Sequence, residues 1–369
     1  MLDRLPFELL RLVLEHLAPL NYTPKQYEDR RSDLKSCSLV GRAFQHLAAP
    51  MLAEVLRVAV PGPWQGVEVP AALSPAARGK LVKLLVFTGH SQELSARVEE
   101  YVQAVAQLCP LAVEVRVLEM QVFKLDWLAG MIRLKHLVLY GWGLEVHPPS
   151  TAAFSSLIEL SIRAGPLAPA FFDCFLSPST TPHLRALGFR HAKCIASVHS
   201  ALPLPALPTE LLEQLDVLSL DVDDPPGALL SSMAQAPSLL LSCHAVHEGT
   251  ASIWQNARHL AVCFYGQGDR IDFDNGPWNL VWATLALLHS SLPNCPFLEL
   301  LILPHFLHPF DILDDARRAD VWRLLDAAGE REIKVVFEDE GVWEVDSLIS
   351  RVFWRRRLAE KARMRTRNE

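Results

Sequence analysis

From residue 81 onward one short apolar pattern keeps returning, and it limits what this chain can fold into more than any other feature. It reads Leu81-xx-Leu84-x-Val86, Val113-x-Val115-x-Val117, Leu134-xx-Leu137-x-Leu139, Leu157-xx-Leu160-x-Ile162, Leu184-xx-Leu187-x-Phe189 and Leu215-xx-Leu218-x-Leu220. It continues as Leu239-x-Leu241, Leu260-x-Val262-x-Phe264, Leu298-xx-Leu301-x-Leu303 and Val335-x-Phe337. Alternation at period two marks strands, and roughly ten of them recur at intervals of about 20 to 40 residues. Proline precedes several by one or two residues, at Pro110, Pro182, Pro237 and Pro296, where it ends one element and hands an extended chain to the next. Helical stretches are legible before these prolines, at Leu94 to Leu108, Phe171 to Leu176, Ala228 to Ala234 and Leu280 to Leu292.

This recurrence resembles the leucine-rich repeat, in which each unit gives one strand to a parallel sheet and a return segment to the convex side. A doubly wound α/β sheet also alternates strand and helix and is the main rival. The LxxLxL copies, however, are not followed by a glycine-rich turn that would cradle a phosphate.

Ahead of the repeats, Leu5, Leu9, Val13 and Leu17 recur every fourth residue beside Leu10 and Leu14, an apolar stripe along one side of a helix. Pro6 suits its first turn, Glu8 its positive end, and Pro19 stops it. A polar connector from Pro19 to Arg31 follows, and Ser32 or Asp33 is placed to cap a second helical stretch carrying Leu34, Cys37, Val40, Phe44 and Leu47. A unit of about 50 residues cannot bury this much apolar surface alone. The order Leu5-Pro6-x-Glu8-Leu9-Leu10, then Cys37-Ser38-Leu39-Val40-x-Arg42-x-Phe44, with Leu47-Ala48-x-Pro50 closing, resembles an F-box of the form common in fungal proteins. Gly41 and Phe44 stand where that family more often has Cys and Trp, and the connector is longer than usual. The resemblance implies that Leu5, Pro6, Leu9, Leu10, Val13, Leu17, Leu34, Leu39, Val40, Phe44 and Leu47 face, or pack beneath, the Skp adaptor of a cullin–RING ubiquitin ligase. The irregular period of the later strands, mostly without the usual Asn or Cys after them, resembles the degenerate repeats of F-box leucine-rich-repeat proteins.

Composition narrows the classes further. With 50% hydrophobic and 21% charged residues over 369 positions, the chain can bury a sizeable core. A net charge of -7 argues against a nucleic-acid-coating body, which needs a basic surplus. Seven cysteines without a CxxC pair suit reduced thiols buried as small hydrophobes in an intracellular protein. Asp3, Arg4 and Glu8 interrupt any signal-peptide run, and no stretch reaches the ~18 apolar residues of a membrane span. A cytoplasmic or nuclear, soluble protein is expected.

Signals for chemistry are sparse. Gly266 and Gly268 are not continued to a third glycine at dinucleotide spacing, and Asp272 to Gly276 lacks the Glu a calcium loop needs, having Ala283 there. His305 and His308 near Asp311 are bracketed by Pro304 and Pro309 without an obvious third ligand, and Asp221, Asp223 and Asp224 run into Pro225-Pro226-Gly227. No GxSxG, HExxH or GxxxxGK[ST] occurs. No catalytic residue, metal site or cofactor is expected.

On a repeat fold, alternate strand positions project onto the concave face. The residues just after each LxL, namely Tyr140, Arg163, Arg190, Asp221 and Tyr265, form a mixed aromatic and charged ladder suited to a protein substrate. Near the C-terminus Val345, Leu348, Ile349, Val352 and Phe353 make a helical stripe fit to cap the last repeat, and Arg351, Arg355, Arg356, Arg357, Lys361, Arg363, Arg365 and Arg367 form a basic run.

The expected architecture is therefore α/β, with an F-box-like helical domain over 1–60, a linker over 61–80 and an irregular leucine-rich-repeat solenoid of parallel strands and convex helices over 81–342. A capping helix and basic tail fill 343–369. The expected function is substrate recognition within a Skp–cullin–F-box ligase, with no nucleic-acid or membrane partner. The alternative is a non-ligase scaffold whose N-terminal helices pack on its own body.

Overall fold

The computed structural model describes residues 6–17, 24–60, 79–89, 96–141, 144–149, 154–164, 166–167, 171, 175–190, 193–197, 200–202, 207–221, 240–243, 257–262, 277–312 and 314–338. The chain divides into two compact units, Met1–Gly141 and Trp142–Glu369.

The first unit opens with three helices, α1 (Phe7–Leu17), α2 (Pro24–Ser38) and α3 (Arg42–Ala53). Leu10 and Leu14 of α1, Leu34 of α2, and Phe44, Leu47, Ala48 and Met51 of α3 pack into one apolar cluster. Each large side chain so buried contributes about 1.5–3 kcal/mol. Of the apolar stripe on α1, Leu10 and Leu14 are buried, while Leu9 and Val13 stay exposed. One expectation needs correction. The expected polar connector is largely helix: α2 starts at Pro24, so Ser32 and Asp33 lie in its interior rather than at a cap. Seven of its fifteen residues are strong helix formers and proline takes the first position; among its residues of described burial, only Arg30 and Leu34, four apart, are buried. Such a helix has almost no apolar periodicity to read. The second helical stretch is likewise broken in two around Leu39, Val40 and Gly41.

α3 then runs into β1 (Val55–Ala59) with only Glu54 between them, followed by a short 3-10 turn at Gly79–Leu81, β2 (Leu84–Thr88), α4 (Ala96–Leu108), β3 (Glu114–Leu118), β4 (Val122–Lys124) and β5 (His136–Gly141). The sheet thus begins before the expected linker. β1, β2, β3 and β5 pair in parallel and in that order. The rows Leu56, Leu85, Val115, Leu137 and Val58, Phe87, Val117, Leu139 are in register. Leu85, Phe87, Val115, Val117, Leu137 and Leu139 are wholly buried. Phe87 meets Phe123 at 6.1 Å, and Phe123 meets Trp127 edge-on at 5.1 Å. Aromatic geometry of this kind adds to area burial.

The second unit holds β6 (Glu145–His147), β7 (Glu159–Ala164), β8 (Pro166–Leu167), β9 (Ala186–Arg190), β10 (Lys193–Ser197), β11 (Ser200–Leu202), α5 (Thr209–Gln214) and β12 (Val217–Asp221). β13 (Leu240–Cys243), β14 (His259–Val262), α6 (Pro277–Ser291), β15 (Leu300–Pro304), α7 (Asp315–Gly329) and β16 (Lys334–Glu338) complete it. β7, β9, β12, β13, β14, β15 and β16 are parallel neighbours in chain order, and β11, β10, β8 and β6 are neighbours in a second, smaller sheet. All ten predicted strand sites are strands.

One backbone device repeats in both units: the carbonyl just before one strand accepts two successive amides at the start of the next. Lys83 O takes Val113 and Glu114, Val113 O takes Lys135 and His136, Ile158 O takes Arg185 and Ala186, and Arg258 O takes Glu299 and Leu300. Among the described strands, the parallel pairing of β1, β2, β3 and β5 and that of β7, β9 and β12 to β16 follow chain order without reversal, so neither run has the switch point of a doubly wound fold. The result is a mixed α/β fold whose larger-sheet pairing is parallel, with β10 and β11 antiparallel in the smaller sheet, and it fits a one-strand-per-unit repeat. The expected helix over Leu94–Leu108 is α4 and that over Leu280–Leu292 is α6. The expected helix at 228–234 and the capping segment at 343–369 lie outside the described residues.

Candidate partner-binding surfaces

The helical unit presents apolar side chains it does not use itself. On α1, Leu9, Leu12 and Val13 sit at i, i+3 and i+4 and so share a face; they are 48%, 58% and 44% exposed. At the turn between α2 and α3, Leu39 and Val40 are 87% and 61% exposed. Five exposed large hydrophobes on so small a unit exceed the scattered apolar exposure of an ordinary surface. Of the adaptor residues inferred from the sequence, Pro6, Leu9, Val13, Leu39 and Val40 are exposed, while Leu10, Leu34, Phe44 and Leu47 form the core beneath. Leu5 and the side chain of Leu17 lie outside the described residues. Leu12, exposed on the same face, falls off the every-fourth-residue stripe read from the sequence.

The sheet face opposite the leucine core is less open than the ladder reading expected. In the first unit it carries Leu84, Glu114 and His136 in one row, Val86, Arg116 and Val138 in the next, and Thr88, Leu118 and Tyr140 in a third. Leu84, Val86 and Val138 are buried there, and so are Glu114 and Arg116, paired Oε1 to Nε at 2.7 Å. Tyr140 is half-buried. In the second unit Glu159, Ser161, Ala186, Val217 and Ile302, which alternate with the core leucines, are also buried. The register brings Asp221 opposite Arg190, and Arg163 follows Ile162, whose partner is Phe189. Tyr265 lies outside the described residues. Sequence reasoning missed Glu114 and Arg116, because charged residues in a strand read as solvated until their rows are known.

The histidine cluster after β15 is a surface feature. His305 Nδ1 lies 3.4 Å from Asp311 Oδ2, both half exposed; His305 stacks on His308 at 5.7 Å, and His308 meets Phe337 edge-on at 4.8 Å. Beside them Phe310, 80% exposed, meets Trp322 at 6.2 Å. Among the described residues no group of three metal-ligating side chains converges. Burial pushes the Cys109 thiol up to about 12 and raises that of Cys295, so both behave as small hydrophobes. The motif positions 266–276, 223 and 224 lie outside the described residues. No helix among the described residues is long and apolar enough to cross a membrane.

No protein-family model and no curated protein matches the chain. Among solved structures, an internalin from Listeria monocytogenes is similar over 90% of this chain and 88% of that one, with 12% identity and a TM-score of 0.32. That likeness is too slight to carry an argument about this chain.

Proposed function

We propose that the chain is a protein-binding scaffold of the F-box receptor type. Its helices α1–α3 hold a Skp adaptor of a cullin–RING ligase, and its parallel-sheet body holds a protein substrate. The observation that carries this reading is the division of labour in the helical unit. Leu10, Leu14, Leu34, Phe44 and Leu47 close a core, while Leu9, Val13, Leu39 and Val40, drawn from the same motif, remain exposed. A helical hairpin folded wholly onto its own body would hide the second set as well as the first. On this reading the chain performs no bond chemistry. It holds a substrate lysine near a charged conjugating enzyme, which raises its effective concentration into about the millimolar range.

The test is co-purification of the full chain with a Skp adaptor, comparing wild type with Leu9→Asp, Val13→Asp and Leu39→Asp. Binding by the wild type and its loss in the variants support the proposal; a wild type that binds no Skp adaptor refutes it. The scaffold alternative draws on the contact of α3 with β1 and with the turn at Gly79–Leu81. It predicts that none of the three substitutions alters a partner.

A further inference from the structure

Two apolar clusters of the first unit lie on either side of residue 54 in the chain. One is the helical cluster from Leu10 to Met51; the other gathers Val55, Leu84 and Val86, with Leu118 against them. Between them in the chain stands Glu54, the C-cap of α3 and the residue immediately before β1.

Its main chain belongs to the sheet. Glu54 O accepts the amides of Lys83 at 2.7 Å and Leu84 at 3.0 Å, the same two-amide pattern that Lys83 O and Val113 O repeat for the next two strands. Glu54 is therefore the first rung of the repeat ladder. Its side chain belongs to the helices. Oε2 lies 3.4 Å from Nη2 of Arg30, an α2 residue only 4% exposed, and Oε1 lies 2.5 Å from Nζ of Lys83 at the foot of β2. A buried guanidinium and a sheet ammonium thus meet on one carboxylate, and removing that carboxylate leaves the buried charge without this counterion.

We infer that Glu54 is a locked joint: its carboxylate, held by Arg30 and Lys83, sets the angle between the three-helix unit and the parallel sheet of the first unit. Arg30 supplies this tie from α2, one turn before Leu34, through which α2 joins the helical cluster. The functional consequence, that adaptor and substrate are held at one fixed orientation, rests on the receptor reading above. The joint itself does not.

The experiment measures the distance distribution between spin labels on non-canonical residues placed at the exposed positions 31 in α2 and 135 before β5, in the full chain. Wild type is expected to give one narrow distance. Glu54→Gln keeps the shape but loses the charge, and is expected to widen the distribution about twofold, with Lys83→Gln, at a half-exposed position, widening it less. A broad wild-type distribution, or a width unchanged in both variants, overturns the inference. Lys83→Gln keeps the test decisive if Glu54→Gln fails to fold. Skp binding is measured on the same samples: a wild type that binds no adaptor refutes the receptor reading, while the distance widths still judge the joint.

Discussion

Leu39→Asp separates binding from folding more cleanly than any other substitution in the helical unit. Leu39 is 87% exposed at the turn after α2, so its replacement removes almost no buried area and is expected to change stability by no more than about 0.5 kcal/mol. If the side chain enters an adaptor pocket, the introduced carboxylate is desolvated without a partner. A penalty of about 3 kcal/mol lowers affinity about 100-fold or more. Leu14→Ala is the counterpart. Leu14 is fully buried in the cluster with Leu10, Leu34, Phe44 and Leu47, and its truncation is expected to cost about 2–5 kcal/mol through lost burial and the cavity left behind. Guanidinium denaturation followed by circular dichroism gives the stabilities, and calorimetric titration with a purified Skp adaptor gives the affinities. The reasoning is refuted if Leu39→Asp loses more than about 1 kcal/mol of stability, since the side chain is then not at the surface. Unchanged affinity in that variant refutes the adaptor role.

Other consequences are open to simple measurement. A Cβ at Gly79 would stand 1.9 Å from the carbonyl oxygen of Leu108, a backbone atom with little freedom, so Gly79→Ala should destabilise by about 3 kcal/mol, read from the denaturation midpoint. Glu114→Ala removes the carboxylate beside the buried Arg116 and should cost about 3 kcal/mol, whereas the double change Glu114→Leu, Arg116→Met should cost distinctly less; equal losses would contradict a charge-driven effect. With its thiol pushed up to about 12 by burial, Cys109 should resist iodoacetamide at pH 8 in the native chain, while the half-buried Cys37 reacts before it; mass spectrometry of labelled peptides decides it.

The strands were legible in the sequence because the LxxLxL spacing places apolar residues at alternate positions, and those positions, such as Leu137, Leu139, Leu160 and Ile162, are the fully buried ones. The intervening positions were not legible. Ser161 and Glu159 fall outside the apolar pattern and are nonetheless buried, because a motif shows one face that must be hidden and is silent about the other. α2 escaped because helix propensity without an apolar stripe leaves no period. β8 escaped because a strand of two residues, Pro166 and Leu167, cannot show alternation. α7 carried a cue in Asp314, whose carboxylate accepts the Arg317 amide at 2.9 Å, but its buried stripe is only Val321, Leu324 and Ala328. In the candidate site, the motif did not separate the exposed Leu9 and Val13 from the buried Leu10 and Leu14. That choice depends on where α2 and α3 pack.

The chain-order growth of each sheet bears on how the protein is made. When β2 leaves the ribosome its partner β1 has already emerged, and β3 finds β2 in turn. In the second unit each strand of the larger sheet from β9 onward likewise joins the strand of that sheet that precedes it in the chain, although β8 intervenes before β9 and β10 and β11 intervene before β12. Pairing with an immediate predecessor keeps loop-closure entropy low, and domains completed early fold while synthesis continues. The N-terminal helices and the first four parallel strands can therefore reach their native arrangement as a nascent chain, with the latest strand as the template on which the next one forms.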